Sequence, residues 1–117
     1  MTASQTDDAL AAARALAPAV AAAADETERH RELPSELVDQ LHAAGMFRLL
    51  LPRSLGGREL DLPTHVAVME VLGAADASTA WCLNQCAGLC FLAAWLPDEA
   101  RVWCHLEIPA EELHRLR

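Results

Sequence analysis

Basic charge is what this sequence has least of. Nine Lys and Arg stand against seventeen Asp and Glu, for a net charge of −8. Nucleic-acid phosphates are held by clustered cations, so this balance excludes such a partner. Arg48, Arg53 and Arg58 are the one local basic cluster, and around a turn they read as a solvated loop. Aromatic residues make up only 4% of the chain, although 53% of it is hydrophobic and much of that is alanine. Alanine favours helix but adds little on burial, whereas a fully buried Leu or Val contributes roughly 1.5–3 kcal/mol. The composition predicts helices packed closely through small side chains, with a core that draws on something outside the chain. The N-terminus lacks a basic segment leading into an apolar one, so no secretory signal is expected. Four cysteines without such a signal read as reduced thiols, and the expected location is cytoplasmic.

Catalytic signatures are also missing. Gly56-Gly57 has neither a strand before it nor a Lys-Ser/Thr after it, so it is no phosphate loop. None of the histidines at 30, 42, 65, 105 and 114 has a nucleophile or carboxylate at triad spacing. His65 alone stands out, and a capping or surface role is its ordinary reading. Glu70, amid apolar neighbours, is expected in a buried ion pair, with a general base as the alternative. No catalytic residue is assigned.

At 117 residues the chain is sized for one domain. Asp7 and Asp8 supply carboxylates for a first helix, with Leu10, Ala13, Ala17, Val20, Ala24 and Thr27 at helical spacing. Pro18 should kink or divide it. Pro34 suits the first turn of a second helix carrying Leu37, Val38 and Leu41, and Gly45 is a natural left-handed terminator. Met46–Pro52 is an apolar run expected to be extended or irregular, and Arg53–Arg58 a turn in which paired glycines permit positive φ. Asp61 caps a third helix with Pro63 in its first turn and Val66, Met69, Glu70 and Gly73 along it. A fourth helix is expected from about Ser78 to Leu96, and another from Pro97 carrying Val102 and Trp103. The fold class is therefore all-α, a bundle of four to five helices.

From Ala77 to Leu96 there is no charged residue. A helix apolar all round is buried in a core or a membrane. Ser78, Thr79, Asn84 and Gln85, and the absence of basic flanks, favour the protein core. One small domain can rarely cover every face of such a helix, so part of it should meet another domain, another subunit or a ligand. Asn84 and Gln85 must be hydrogen-bonded if buried, either to a neighbouring helix backbone or beside a ligand cavity. Cys82, Gln85, Cys86 and Leu89 share one face by their spacing. Cys82, Cys86 and Cys90 also share a face and could bind a soft metal, but the paired short Cys spacings of zinc sites are missing, and no metal site is assigned.

The order of these segments resembles the acyl-CoA dehydrogenase family. Leu33-Pro34…Leu37-Val38…Leu41…Ala44-Gly45-Met46-Phe47-Arg48 resembles its second helix and following turn, and Leu51-Pro52-Arg53-Ser54-Leu55-Gly56-Gly57 its P-x-x-x-GG loop. Met69–Leu72 and Asp76-Ala77-Ser78-Thr79-Ala80-Trp81 resemble the third helix and the start of the fourth, most like the branch with flavin-dependent monooxygenases acting on aromatic substrates. The likeness covers about residues 8–103 and implies an N-terminal helical domain at 1–103, followed by an atypical tail at 104–117. It further implies an intact enzyme with a middle β-domain and a C-terminal helical domain, FAD or reduced FMN between them, and an acyl thioester or aromatic molecule as substrate. Homo-oligomers are the family's expected state. The N-domain would wall the substrate cavity through Trp81, Cys82, Gln85, Cys86 and Leu89, and would be inactive alone. Two departures stand out. Leu89 falls where many monooxygenase relatives carry histidine, and Cys104–Arg117 does not resemble the entry to a β-domain, as a truncated chain would not. A free-standing helical dimerisation or interaction module is the alternative function, and a Cys-lined metal binder a further one.

Overall fold

The computed structural model describes residues 2–97; the expected helix from Pro97, Trp103 and the tail at 104–117 lie outside the described residues. Four α-helices and three short 3-10 segments make up the described chain, with no strand among those residues. The all-α expectation holds.

The first helix, α1, runs from Ala3 to His30. It starts earlier than the acidic pair Asp7-Asp8, because the Gln5 side chain accepts the Thr2 amide at 3.0 Å and closes the first turn there. Pro18 does not divide it. Pro18 and Arg14, whose carbonyl loses its amide donor, both lie on the exposed face, where water can replace the bond. Ala9, Ala13, Val20 and Thr27 form the buried edge, much as the helical spacing predicts. After Arg31 caps this helix in the left-handed region, α2 occupies Ser35–Ala43 and buries Leu37 and Leu41. Gly45, at φ 71°, ends it as expected.

Residues 46–60 fold back on themselves. Met46–Arg48 and Arg53–Leu55 are 3-10 turns, and Met46, Phe47, Leu49, Leu50 and Leu51 are all buried. The returning segment seals this run through three backbone bonds, from the amides of Arg58, Glu59 and Leu60 to the carbonyls of Arg48, Leu51 and Leu49. The two glycines of the loop serve different purposes. Gly56 has φ 81°, whereas Gly57 is needed for contact, since a Cβ there would lie 1.9 Å from the Leu51 carbonyl oxygen.

The last two helices, α3 (Leu62–Ala75) and α4 (Ala77–Ala87), form a hairpin hinged on one extended residue, Asp76. Each is capped by an aspartate: Asp61 accepts from the Thr64 amide and Asp76 from the Thr79 amide, both at 2.8 Å. Asp61 is held below its ordinary carboxylate pKa of 3.8, first by the Thr64 hydroxyl and then by the Thr64 amide. On α3 the buried residues are Thr64, His65, Val68 and Leu72, and Val66 is exposed, so the Val66-Met69-Gly73 spacing marks the other face. A helix this apolar has two faces that fit the period, and only packing chooses between them.

The expected fourth helix is also shorter. α4 ends at Ala87, and Cys90–Trp95 continues as a 3-10 segment. Gly88 follows α4, where any Cβ would sit 2.5 Å from the Asn84 carbonyl oxygen. The Cys90 thiol donates to the Cys86 carbonyl at 3.1 Å, the acceptor that a continuing α-helix would give to the Cys90 amide. Helix α1 packs against both members of the hairpin, and Thr6 meets Thr64 hydroxyl to hydroxyl at 3.3 Å. The result is a slab of 38 × 36 × 18 Å with Val20, Leu41, Met46, Leu49, Val68, Leu72 and Leu83 fully enclosed.

Candidate functional site

Thinness leaves α4 with a side that no described residue covers. Its inward positions, Thr79, Ala80, Leu83 and Ala87, are buried, with Gly73 allowing α3 to approach Ala80. Its outward positions include Trp81 and Leu89, 67% and 56% exposed, with Cys82 and Gln85 exposed and Cys86 half-buried. The five residues expected to wall a cavity are thus gathered along one side of α4 and the turn after it. The apolar strip continues through Phe91, Leu92 and Trp95, where Phe91 and Trp95 meet edge to face at 6.0 Å. Few monomers expose so many large apolar groups in so short a segment.

Trp81 stands on the ridge between two open clefts. One, of 620 Å3, lies between the end of α1 and the start of α4 and touches Thr27, Arg31, Ser78, Trp81 and Cys82, with Glu28 and Glu32 at its edge. The other, of 430 Å3, lies between α3 and α4 and includes His65, Met69, Glu70, Trp81 and Asn84. Cys82 borders the first cleft, and Gln85, Cys86 and Leu89 lie further along the same side of α4.

Three expectations about polar residues change. His65 is neither cap nor surface group: it is 4% exposed and its Nε2 lies 2.8 Å from Asn84 Oδ1, across the helix pair. Asn84 therefore bonds a neighbouring side chain rather than a neighbouring backbone, and Gln85 is exposed. Glu70 is exposed as well, so no buried ion pair forms there, because its position falls on the outer face of α3. The His65–Asn84 pair is the feature that sequence spacing misses. The signal that could find it is two polar residues in apolar helices, eleven residues before and eight residues after the Asp76 hinge.

The described cysteines do not converge. Cys82 is exposed, while Cys90 is buried with its thiol turned to the Cys86 and Phe47 carbonyls. Among the described residues no group of three or more His, Cys, Asp or Glu could hold a metal ion, and no helix is long and apolar enough to cross a membrane.

The chain belongs to the acyl-CoA dehydrogenase family: the family profile "Acyl-CoA dehydrogenase, N-terminal domain" matches residues 4–101. Its curated relatives are monooxygenases and hydroxylases. It is 33% identical over 82 residues to the oxygenase component of the FADH(2)-dependent resorcinol hydroxylase of Rhizobium sp. (strain MTP-10005), covering 68% of this chain and 20% of that protein. It is 38% identical over 72 residues to dibenzothiophene monooxygenase of Rhodococcus erythropolis, covering 62% and 17%. With the oxygenase component of p-hydroxyphenylacetate 3-hydroxylase of Acinetobacter baumannii it shares 33% over 67 residues, covering 57% and 16%. The matched region is thus a fifth or less of each relative. No solved structure matches the chain.

Proposed function

We propose that this chain is the cavity-walling N-terminal domain of a flavin-dependent oxidoreductase of the acyl-CoA dehydrogenase type, inactive by itself. The observation that carries the reading is the uncovered side of α4, where Trp81, Cys82, Gln85, Cys86 and Leu89 present an uncharged surface with exposed apolar groups. Ligand pockets are mostly apolar with a few placed polar groups, and this side has that character without being closed. An aromatic substrate is favoured over an acyl thioester, because the relatives named above are hydroxylases or monooxygenases of resorcinol, p-hydroxyphenylacetate and dibenzothiophene.

The flavin, FAD or reduced FMN, belongs to the intact protein and is not assigned to residues of this chain. A flavin phosphate needs convergent donors. The larger cleft sets Glu28 and Glu32 beside its single Arg31, and the smaller has Glu70 in its lining, so neither fits.

Joining residues 1–97 of this chain to the remaining domains of the Rhizobium resorcinol hydroxylase tests the reading. The chimera should hold flavin, and Trp81→Arg should weaken resorcinol binding about tenfold or more while leaving flavin binding intact. Resorcinol binding unchanged by Trp81→Arg in a flavin-loaded chimera would remove the cavity-wall role.

The same uncovered surface favours a second reading, a free-standing module that pairs with another copy through α4. It requires a stable oligomer without cofactor. A folded monomer by sedimentation at high concentration would end it.

A further inference from the structure

The His65–Asn84 pair does more than tie α3 to α4. His65 Nδ1 is sealed from solvent and has no hydrogen-bond partner. A proton on Nδ1 would bury an N–H with nothing to donate to, at a cost of roughly a hydrogen bond or more. A proton on Nε2 instead makes the 2.8 Å bond to Asn84 Oδ1 and leaves only a lone pair at Nδ1. The tautomer is thereby fixed with Nε2 as donor, and it fixes the Asn84 amide in turn. Oδ1 faces His65, and the NH2 group is left over. The Asn84 side chain makes no other bond among the described residues, and its nitrogen is not among the buried unpartnered atoms. Gly88 keeps this arrangement open, since a Cβ there would lie 2.9 Å from Asn84 Oδ1 and displace it.

Asn84 lines the 430 Å3 cleft between α3 and α4, whose other walls include Val66, Met69, Ala80 and Trp81. An oriented donor in an apolar cleft selects for an acceptor on an apolar body. Glu70, also in the lining, disfavours an anionic acceptor such as a carboxylate. We propose that the α3–α4 cleft is a ligand site in which the Asn84 NH2 group, oriented by buried His65, binds the carbonyl oxygen of a small, flat, uncharged apolar molecule against Trp81. The site shares Trp81 with the proposed cavity wall, but binding by this chain alone tests it separately from flavin and resorcinol binding by the chimera.

Two shape-matched compounds test it on the full chain. Acetophenone carries the acceptor and cumene lacks it. In a 15N-labelled sample the Asn84 side-chain amide signals should shift saturably with acetophenone, with a dissociation constant on the order of 1 mM for so small a ligand. Cumene should bind about tenfold more weakly. Asn84→Leu should abolish the preference, and Asn84→Gln should keep part of it. Equal binding of the two compounds, no saturable shift, or shifts that map away from Asn84 and Trp81 would each overturn the proposal. So would a preference for phenol over acetophenone, which would mean that the cleft presents Oδ1. The wild-type comparison decides the matter even if Asn84→Leu does not fold.

Discussion

Two apolar runs of this chain meet opposite fates. Met46–Leu51 is closed off, with five of its six side chains buried. Ala77–Leu96 buries Thr79, Ala80, Leu83, Ala87, Cys90 and Ala93, yet leaves Trp81, Leu89, Phe91, Leu92 and Trp95 in solvent. The difference lies in what folds over each run. The first is sealed by its own following loop, which returns three backbone hydrogen bonds to it. The second is packed on one side by α1, α3 and the Met46–Arg48 turn, and no described residue covers the other side. Hydrophobicity alone therefore says that a run wants cover; the neighbouring chain decides whether this domain supplies it.

The contrast can be broken at the seal. Gly57→Ala places a methyl group against the Leu51 carbonyl, and backbone atoms cannot rotate away as a side chain can. The loop must open, and urea denaturation should show a loss of about 4 kcal/mol, near the upper end for single substitutions. Gly56→Ala, which strains φ but meets no backbone atom within the same distance, should cost about 1 kcal/mol. If the two losses were equal, the close approach would not be what closes the loop.

The two sides of the second run can be set against each other directly. Leu83 is fully buried and Leu89 is 56% exposed. Leu83→Ala should cost about 2–3 kcal/mol, and Leu89→Ala should stay within about 0.5 kcal/mol. Comparable losses by thermal or urea melting would mean that Leu89 is covered in solution, as the dimerisation reading requires.

Helix capping gives a smaller effect. Asp76 accepts both the amide and the hydroxyl of Thr79, at 2.8 and 2.7 Å, at the hinge from which α4 starts. Asp76→Ala should cost about 1–2 kcal/mol, and Asp76→Asn less. Smallest is the pH dependence from Asp61. Its pKa in the folded chain is lowered, so its contribution is complete above the ordinary value of 3.8 and fades as pH falls through the lowered one. Asp61→Asn should flatten the stability curve in that acidic window, matching the parent at the acid end and falling slightly below it at neutral pH.

Much of this was legible in the residues. The all-α class, the Gly45 terminator, the cap at Asp61 and the uncovered apolar segment all follow from local chemistry, whereas the cap at Asp76 is a finding of the structure. What was not legible depends on competition between equivalent choices. Pro18 survives within α1 because its missing bond faces water, which the sequence does not state. α3 offers two apolar faces, and Val66 lies on the one left outside. α4 stops early because Gly88 and the Cys90 thiol interrupt a pattern that hydrophobicity alone would extend to Leu96. The His65–Asn84 pair needs the hairpin geometry, and no periodicity along either helix points to it.

The central claim is that the outward side of α4 is a ligand wall awaiting its cover. Cys82 reports on it directly, being exposed between Trp81 and Gln85. Its alkylation rate by iodoacetamide should be measured in this chain and in the flavin-loaded chimera, with and without resorcinol. The account predicts about tenfold slowing or more on joining the other domains, and further protection by resorcinol. Equal rates in all three states, with flavin retained, would contradict it.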